Sequence, residues 1–338
     1  MKKLFIPATI SFCMLFSLFG TVRAQSAEKV TFSTFTPTGH TNLLLGSGSR
    51  SEIKADAMLT LPNSTQGRQP VIVIVPGAGG QVEEHLAFWR SRILAAGIGV
   101  VAVDPLRIRN LAPDQSERLT LAADLVDTLR LLKALTAHPL VDRDRIGILG
   151  FSRGGLIAWD SQAEAFTTAA LGASSGVRFV AHAALYPPCH YAHIERRSVQ
   201  VPALLVLAGA DARTPPEQCQ SLVKAASTRG YSTQVTVVEG AQHAFDYFLP
   251  AFLDANGFSS KGCRPLVVDT AAPYPRPVYL DDGSPLVTGD GPAPVPQILE
   301  WSRQCRKPTP ALTGNQKASE REEAASAVVA FFVSTLKP

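Results

Sequence analysis

Apolar and polar positions alternate between two periods from about residue 52 to residue 248. "AMLTLP" (57–62) and "PVIVIVP" (70–76) predict strands, the second a nearly unbroken β-branched run of the kind covered on both faces of a sheet. Residues 83–97 follow with helical spacing and stop at Gly97, and "IGVVAVD" (98–104) predicts the next buried strand. Over 117–137, Leu121, Leu125, Leu129 and Leu132 recur on one helical face. "RIGILGF" (145–151) and "RGGLIAWDSQA" (153–163) predict a strand and the helix after it. "VRFVAHAALYP" (177–187), "PALLVLAG" (202–209) and "TQVTVVEG" (233–240) continue the strands, with a helix over 215–229 between the last two. Strands alternating with helices imply a mostly parallel sheet covered by helices on both faces.

The periodicity stops near residue 248. Residues 249–316 are rich in proline and glycine, and "ASEREEAASAVVAFFVSTL" (318–336) then predicts a last helix that packs on the sheet. A structureless segment of that length is unusual inside a compact domain, so 249–316 reads as an elaborated insertion. The first residues have a different character. Lys2 and Lys3 precede the apolar run Leu4–Phe19, and Val22-Arg23-Ala24 puts small residues at a cleavage position. This predicts a signal peptide over 1–24, no retained membrane anchor, export to the periplasm or beyond, and one domain over 25–338.

Export changes the meaning of charge and cysteine. Losing Lys2, Lys3 and Arg23 leaves 29 of the 32 basic residues against 28 acidic ones, and no Lys/Arg block suggests nucleic acid as a partner. Cys13 leaves with the leader. Cys189, Cys219, Cys263 and Cys305 remain, with no zinc-ligand spacing, and an exported chain permits disulfides. Four cysteines allow three pairings. The expected one joins Cys189 to Cys219, near neighbouring strand ends, and Cys263 to Cys305 across the insertion.

Three strand ends carry reactive residue types. Ser152 sits in G-F-S-R-G between a strand and a helix, the setting of a nucleophile elbow, although a glycine-rich turn can hold an incidental serine. Asp211, in "GADARTPP", can be a helix cap, and His243, in "EGAQHAFDYF", an ordinary loop histidine. Together the order Ser…Asp…His, each at the end of a successive strand unit, points to nucleophile, orienting acid and general base. Glu239 and Asp246 are the rival acids. Glycines after the strand at 70–76 leave backbone N–H groups free to bind an oxyanion, with Arg153 as one expected donor and Ala78 (or Gly79) as the other. The absence of G-x-x-x-x-G-K-[ST] argues against a phosphate loop.

"PGAGG", "VAVDP", "DRDRIGILGFSRGG", "LVLAGADARTPPEQC" and "GAQHAFD" resemble the dienelactone hydrolase family of α/β-hydrolases, in its exported, serine-bearing branch. The resemblance spans roughly 50–248 plus the last helix. It implies the α/β-hydrolase fold, a small-molecule ester or lactone as substrate, and no metal or organic cofactor. Two positions depart from the family pattern. Ser152 stands where dienelactone hydrolases proper carry cysteine, and Pro76 where many relatives carry histidine.

Other residues offer less. His190 and His193, in "CHYAHIERR", are spaced as a metal pair, but no third histidine or suitably spaced carboxylate completes a set, so no metal is expected. Arg107 and Arg109 follow a strand end and either receive a substrate carboxylate or are solvated. Asn63-Ser64-Thr65 is a glycosylation sequon, and Trp89 and Trp159 read as packing residues. The sequence therefore predicts an ester or lactone hydrolase. A serine exopeptidase or acyl-peptide hydrolase and an inactive ligand-binding protein of the same fold are the alternatives.

Overall fold

The computed structural model describes residues 26–48, 50–63, 67–195, 200–255, 257–272, 278–284, 286 and 304–337. The expected signal peptide therefore lies outside the described residues. The strands of the main sheet are β1 (Ser26–Thr34), β2 (Ile53–Leu61), β3 (Gln69–Val75), β4 (Gly99–Ala102), β5 (Val141–Phe151), β6 (Ala181–Leu185), β8 (Pro202–Ala208) and β9 (Ser232–Val238). They stand in the order β1-β2-β4-β3-β5-β6-β8-β9. β1 and β2 run antiparallel to their neighbours, and every pair from β4 to β9 is parallel.

The period-2 pattern splits each central strand between two cores. Val71, Val73 and Val75 of β3 face the core shared with helices α4 (Leu121–Thr136), α5 (Arg153–Asp160), α6 (Glu164–Leu171) and α7 (Pro216–Ser227). Ile72 and Ile74 face the opposite core, closed by α2 (Glu83–Ala95) and the last helix α8 (Ala318–Leu336). Two shorter helices, α1 (His40–Leu45) and α3 (Pro105–Ile108), lie in connections. Burying both faces is what the near-continuous apolar strands require.

Three of the differences from the sequence pattern have a plain physical reason. β1 was not predicted, because at the sheet edge only Val30, Phe32 and Thr34 turn inward while Lys29 and Thr31 stay exposed. The helix expected over 117–137 starts at Leu121, because the Thr120 hydroxyl accepts from Ala123 N at 3.1 Å and a 3₁₀ turn (Pro113–Arg118) precedes it. The insertion is not structureless. It contributes β10 (Phe252–Asp254), β11 (Phe258–Ser259), β12 (Leu266–Asp269), β13 (Val278–Leu280), β14 (Lys307–Pro308) and β15 (Ala311–Thr313). β12 pairs in parallel with β7 (Tyr191–Ile194), a short strand in the β6–β8 connection. These strands were hidden because each is only two to four residues long, too short to show a period.

Two disulfides join Cys189 to Cys219 and Cys263 to Cys305, with Cα atoms 4.9 and 5.3 Å apart. The second pins the insertion.

Candidate active site

Ser152 follows β5 and stands at the N-cap position of α5 with φ 49° and ψ −114°, a strained conformation for a residue with a Cβ. Its flanking glycines explain why the chain tolerates that bend. A Cβ on Gly150 would fall 2.0 Å from the Gly154 carbonyl oxygen, and one on Gly154 would fall 2.3 Å from that of Val75. No larger residue fits either place. Ser152 N donates to Leu185 O at 2.9 Å, which ties the bend to the end of β6.

The parallel strands bring the other two candidates to the same edge. His243, just after β9, places Nε2 3.0 Å from Ser152 Oγ and Nδ1 2.7 Å from Asp211 Oδ2. Asp211, just after β8, is buried and also accepts from the amides of Arg213 and Thr214 at 2.8 and 2.9 Å and from Thr214 Oγ1 at 2.7 Å. Burial alone would push its carboxyl up. His243 and the Thr214 bonds outweigh it and hold the group below the usual carboxylate range. Asp211 thus remains ionised beside the imidazole.

Of the rival acids, Asp246 belongs to a separate network. It accepts from Trp89 Nε1 at 2.9 Å and Tyr186 Oη at 2.5 Å, and lies 2.7 Å from His85 Nε2. Burial opposes its ionisation, and His85, Tyr186 and Trp89 reverse that effect and hold its carboxyl low. The Tyr186 ring sits edge-on to His243 with centroids 5.0 Å apart, so this network backs the histidine without bonding to it. Trp89, expected only to pack, is fully buried and also donates a hydrogen bond.

The Pro76–Gly80 loop lies against the bend: a Cβ on Gly77 would be 3.7 Å from Ser152 Cβ. Gly80 N closes a turn onto Gly77 O at 3.0 Å, and Ala78 lies inside that turn on its exposed side. Arg153 opens α5, so its N–H is a first-turn donor without an intrahelical acceptor. Its guanidinium points elsewhere, to Asp124 Oδ2 at 2.5 Å and Leu119 O at 2.6 Å.

The arginines after β4 differ: Arg107 lies in solvent, one of the two sequence expectations, and Arg109 does not. Arg109 is nine-tenths buried and bonds Asp127 Oδ2 at 2.6 Å, so it is neither solvated nor open to a substrate. Arg107 is exposed but held by Asp56, donating to its backbone oxygen at 2.6 Å. His190 does not join His193 in a cluster of donors. His193 meets His40 and Asp160 instead.

The insertion contributes a support that sequence reasoning missed. Gly314 N donates to His243 O at 2.7 Å and Thr313 bridges His243, so the strand returning from the insertion fixes the histidine backbone. Ser259 Oγ donates to Ala212 O at 2.5 Å and Ser260 N to Arg213 O at 3.3 Å, bracing the loop that holds Asp211. No short-range pattern links these residues to the site.

The sequence pattern of the dienelactone hydrolase family matches residues 55–252. No curated protein matches the chain. Among solved structures, a dienelactone hydrolase-like promiscuous phosphotriesterase, P91, from metagenomic libraries is 14% identical, with 93% of this chain and 99% of that one covered at a TM-score of 0.52. A thermophilic esterase from the planctomycete Thermogutta terrifontis is 17% identical, with 57% and 80% covered at a TM-score of 0.45. The first of these likenesses shows the fold.

Proposed function

The chain belongs to the dienelactone hydrolase family, and on that premise we propose that it cleaves carboxylic esters or lactones of small molecules through an acyl-Ser152 intermediate. The observation that carries this reading is the hydrogen-bonded series Ser152 Oγ, His243 Nε2, His243 Nδ1, Asp211 Oδ2, with steps of 3.0 and 2.7 Å. His243 takes the Ser152 proton as Oγ bonds to the substrate carbonyl carbon. Collapse of the tetrahedral intermediate breaks the C–O bond, and His243 returns the proton to the leaving alcohol. Water then repeats the sequence on the acyl-enzyme and regenerates Ser152. Asp211 keeps the imidazole in the needed tautomer and stabilises the imidazolium. The N–H groups of Arg153 and Ala78 receive the oxyanion.

Export through a leader over 1–24 belongs to the same proposal. Two disulfides support it, and cleavage after Ala24 would leave β1 intact from Ser26. No described helix is long and apolar enough to cross a membrane. Residues 25–338 are proposed as one domain, with 249–316 inserted at its active edge.

Hydrolysis of a p-nitrophenyl ester series by wild type and Ser152→Ala tests the function. The variant should fold and lose ~10⁴–10⁶ in kcat. Wild type inert toward every ester and lactone, or a variant retaining more than about a tenth of turnover, overturns it.

A further inference from the structure

We propose that His40, Asp160 and His193 form a binding site for one divalent transition-metal ion of the zinc type. The three residues come from three separate elements: the start of α1, the end of α5 and the middle of β7. Their donor atoms all lie within 4.8 Å of one another. His193 Nδ1 is 3.0 Å from Asp160 Oδ2, and His40 Nε2 is 3.7 Å from the same oxygen. A tetrahedral ion with bonds of about 2.0–2.1 Å holds its donors roughly 3.4 Å apart, which these two separations bracket.

His40 Nε2 is the atom that asks for a ligand. It is buried and has no hydrogen-bond partner among the described residues, a costly state for an imidazole nitrogen.

The surroundings are those of a metal site. Asp160 Oδ1 accepts from His193 N at 3.3 Å, leaving Oδ2 for the ion. His193 Nε2 lies 2.7 Å from Tyr191 Oη, so a metal on Nδ1 leaves an Nε2–H that donates to the tyrosine oxygen. Phe166 packs on both rings, with centroids 5.1 and 4.8 Å away. The His40 side chain keeps 13% of its surface exposed, so solvent reaches part of its ring. Two imidazoles and one carboxylate suit zinc and its first-row neighbours better than the all-oxygen shells of calcium or magnesium.

Asp160 is eight residues along α5 from Ser152, about 12 Å by helical rise, so the ion would act on structure rather than on the reaction. It would tie α1 and α5 to β7, the strand on which the insertion builds its sheet. This inference does not depend on the ester-hydrolysis reading.

Calorimetric titration of ZnCl₂ into the full chain, first stripped with EDTA, should give one saturable site per chain and a raised Tm. His40→Gln and His193→Gln should each cost more affinity than the roughly 10–100-fold that Tyr191→Phe, as loss of an outer partner, should cost. His190→Gln should leave binding unchanged. Should a ligand variant fail to fold, Co²⁺ titration of wild type decides: intense d–d absorption of a tetrahedral N/O site supports the proposal, and weak octahedral absorption or none overturns it. Absence of saturable Zn²⁺ binding by wild type, or undiminished binding by both histidine variants, also overturns it.

Discussion

Asp211 Oδ2 lies 2.7 Å from His243 Nδ1, whereas Asp246, only three residues beyond the histidine, is turned 2.7 Å from His85 instead. The two buried carboxylates thus have separate partners. Asp211→Asn should keep the fold and lower kcat by ~10⁴-fold, because the amide presents the wrong partner to the imidazole. Asp246→Asn breaks a buried charged network and should cost about 3–5 kcal/mol of stability while changing kcat less than tenfold. Paired kinetics and denaturant melts on the two variants check this; the opposite pattern would reassign the orienting acid.

The bend at Ser152 depends on backbone approach. Gly154→Ala places a Cβ 2.3 Å from the Val75 carbonyl oxygen, and should cost at least ~1–3 kcal/mol and most of the activity. Gly39→Ala meets no atom within 4 Å and should change neither. Equal tolerance of both substitutions would contradict the close-packed elbow.

Cys263 and Cys305 are 42 residues apart in sequence, and closing a loop of that size contributes about 4 kcal/mol by chain-entropy arithmetic. Cys263→Ser/Cys305→Ser should lose amide protection in the insertion first, with β3, β5 and β6 still protected. Ester turnover should fall with it, because Gly314 and Thr313 hold the His243 backbone. Hydrogen exchange read by mass spectrometry distinguishes this from the whole sheet opening at once.

Burial, and then the nearby Arg306 charge, lower the His190 pKa to about 4. The unfolded chain takes up that proton near pH 6.5, and the folded chain refuses it until about pH 4. Stability from this residue is therefore fully present above pH 6.5 and lost as pH falls through 4, on the order of 3 kcal/mol. Denaturant melts from pH 7 to pH 4 should show a shallower decline for His190→Gln than for wild type. Parallel declines would place the acid sensitivity elsewhere.

What was legible in the sequence is what short-range pattern carries. β3 and β5 announce themselves as unbroken apolar runs, and Gly150 and Gly154 mark a bend where backbone passes too close for a Cβ. Ser152, Asp211 and His243 could be brought to one edge on paper because successive parallel strands end there. Arg109 was misread, since its partner Asp127 lies a helix away and only folding sinks the pair together. His193 was matched with His190 because they are near in sequence, while its companions His40 and Asp160 arrive from other elements. The insertion's hold on His243 was invisible for the same reason: Gly314 and His243 meet through tertiary pairing, which no local period encodes.

The central claim is that Ser152 is the nucleophile, and labelling by a fluorophosphonate tests it most directly. Attack by Ser152 Oγ on phosphorus expels fluoride and leaves one phosphonyl group per chain. Tryptic mapping should place the label on the peptide Ile146–Arg153, at Ser152, and His243→Ala should abolish labelling without unfolding the protein. A folded wild type that takes no label, or takes it on another residue, would contradict the account.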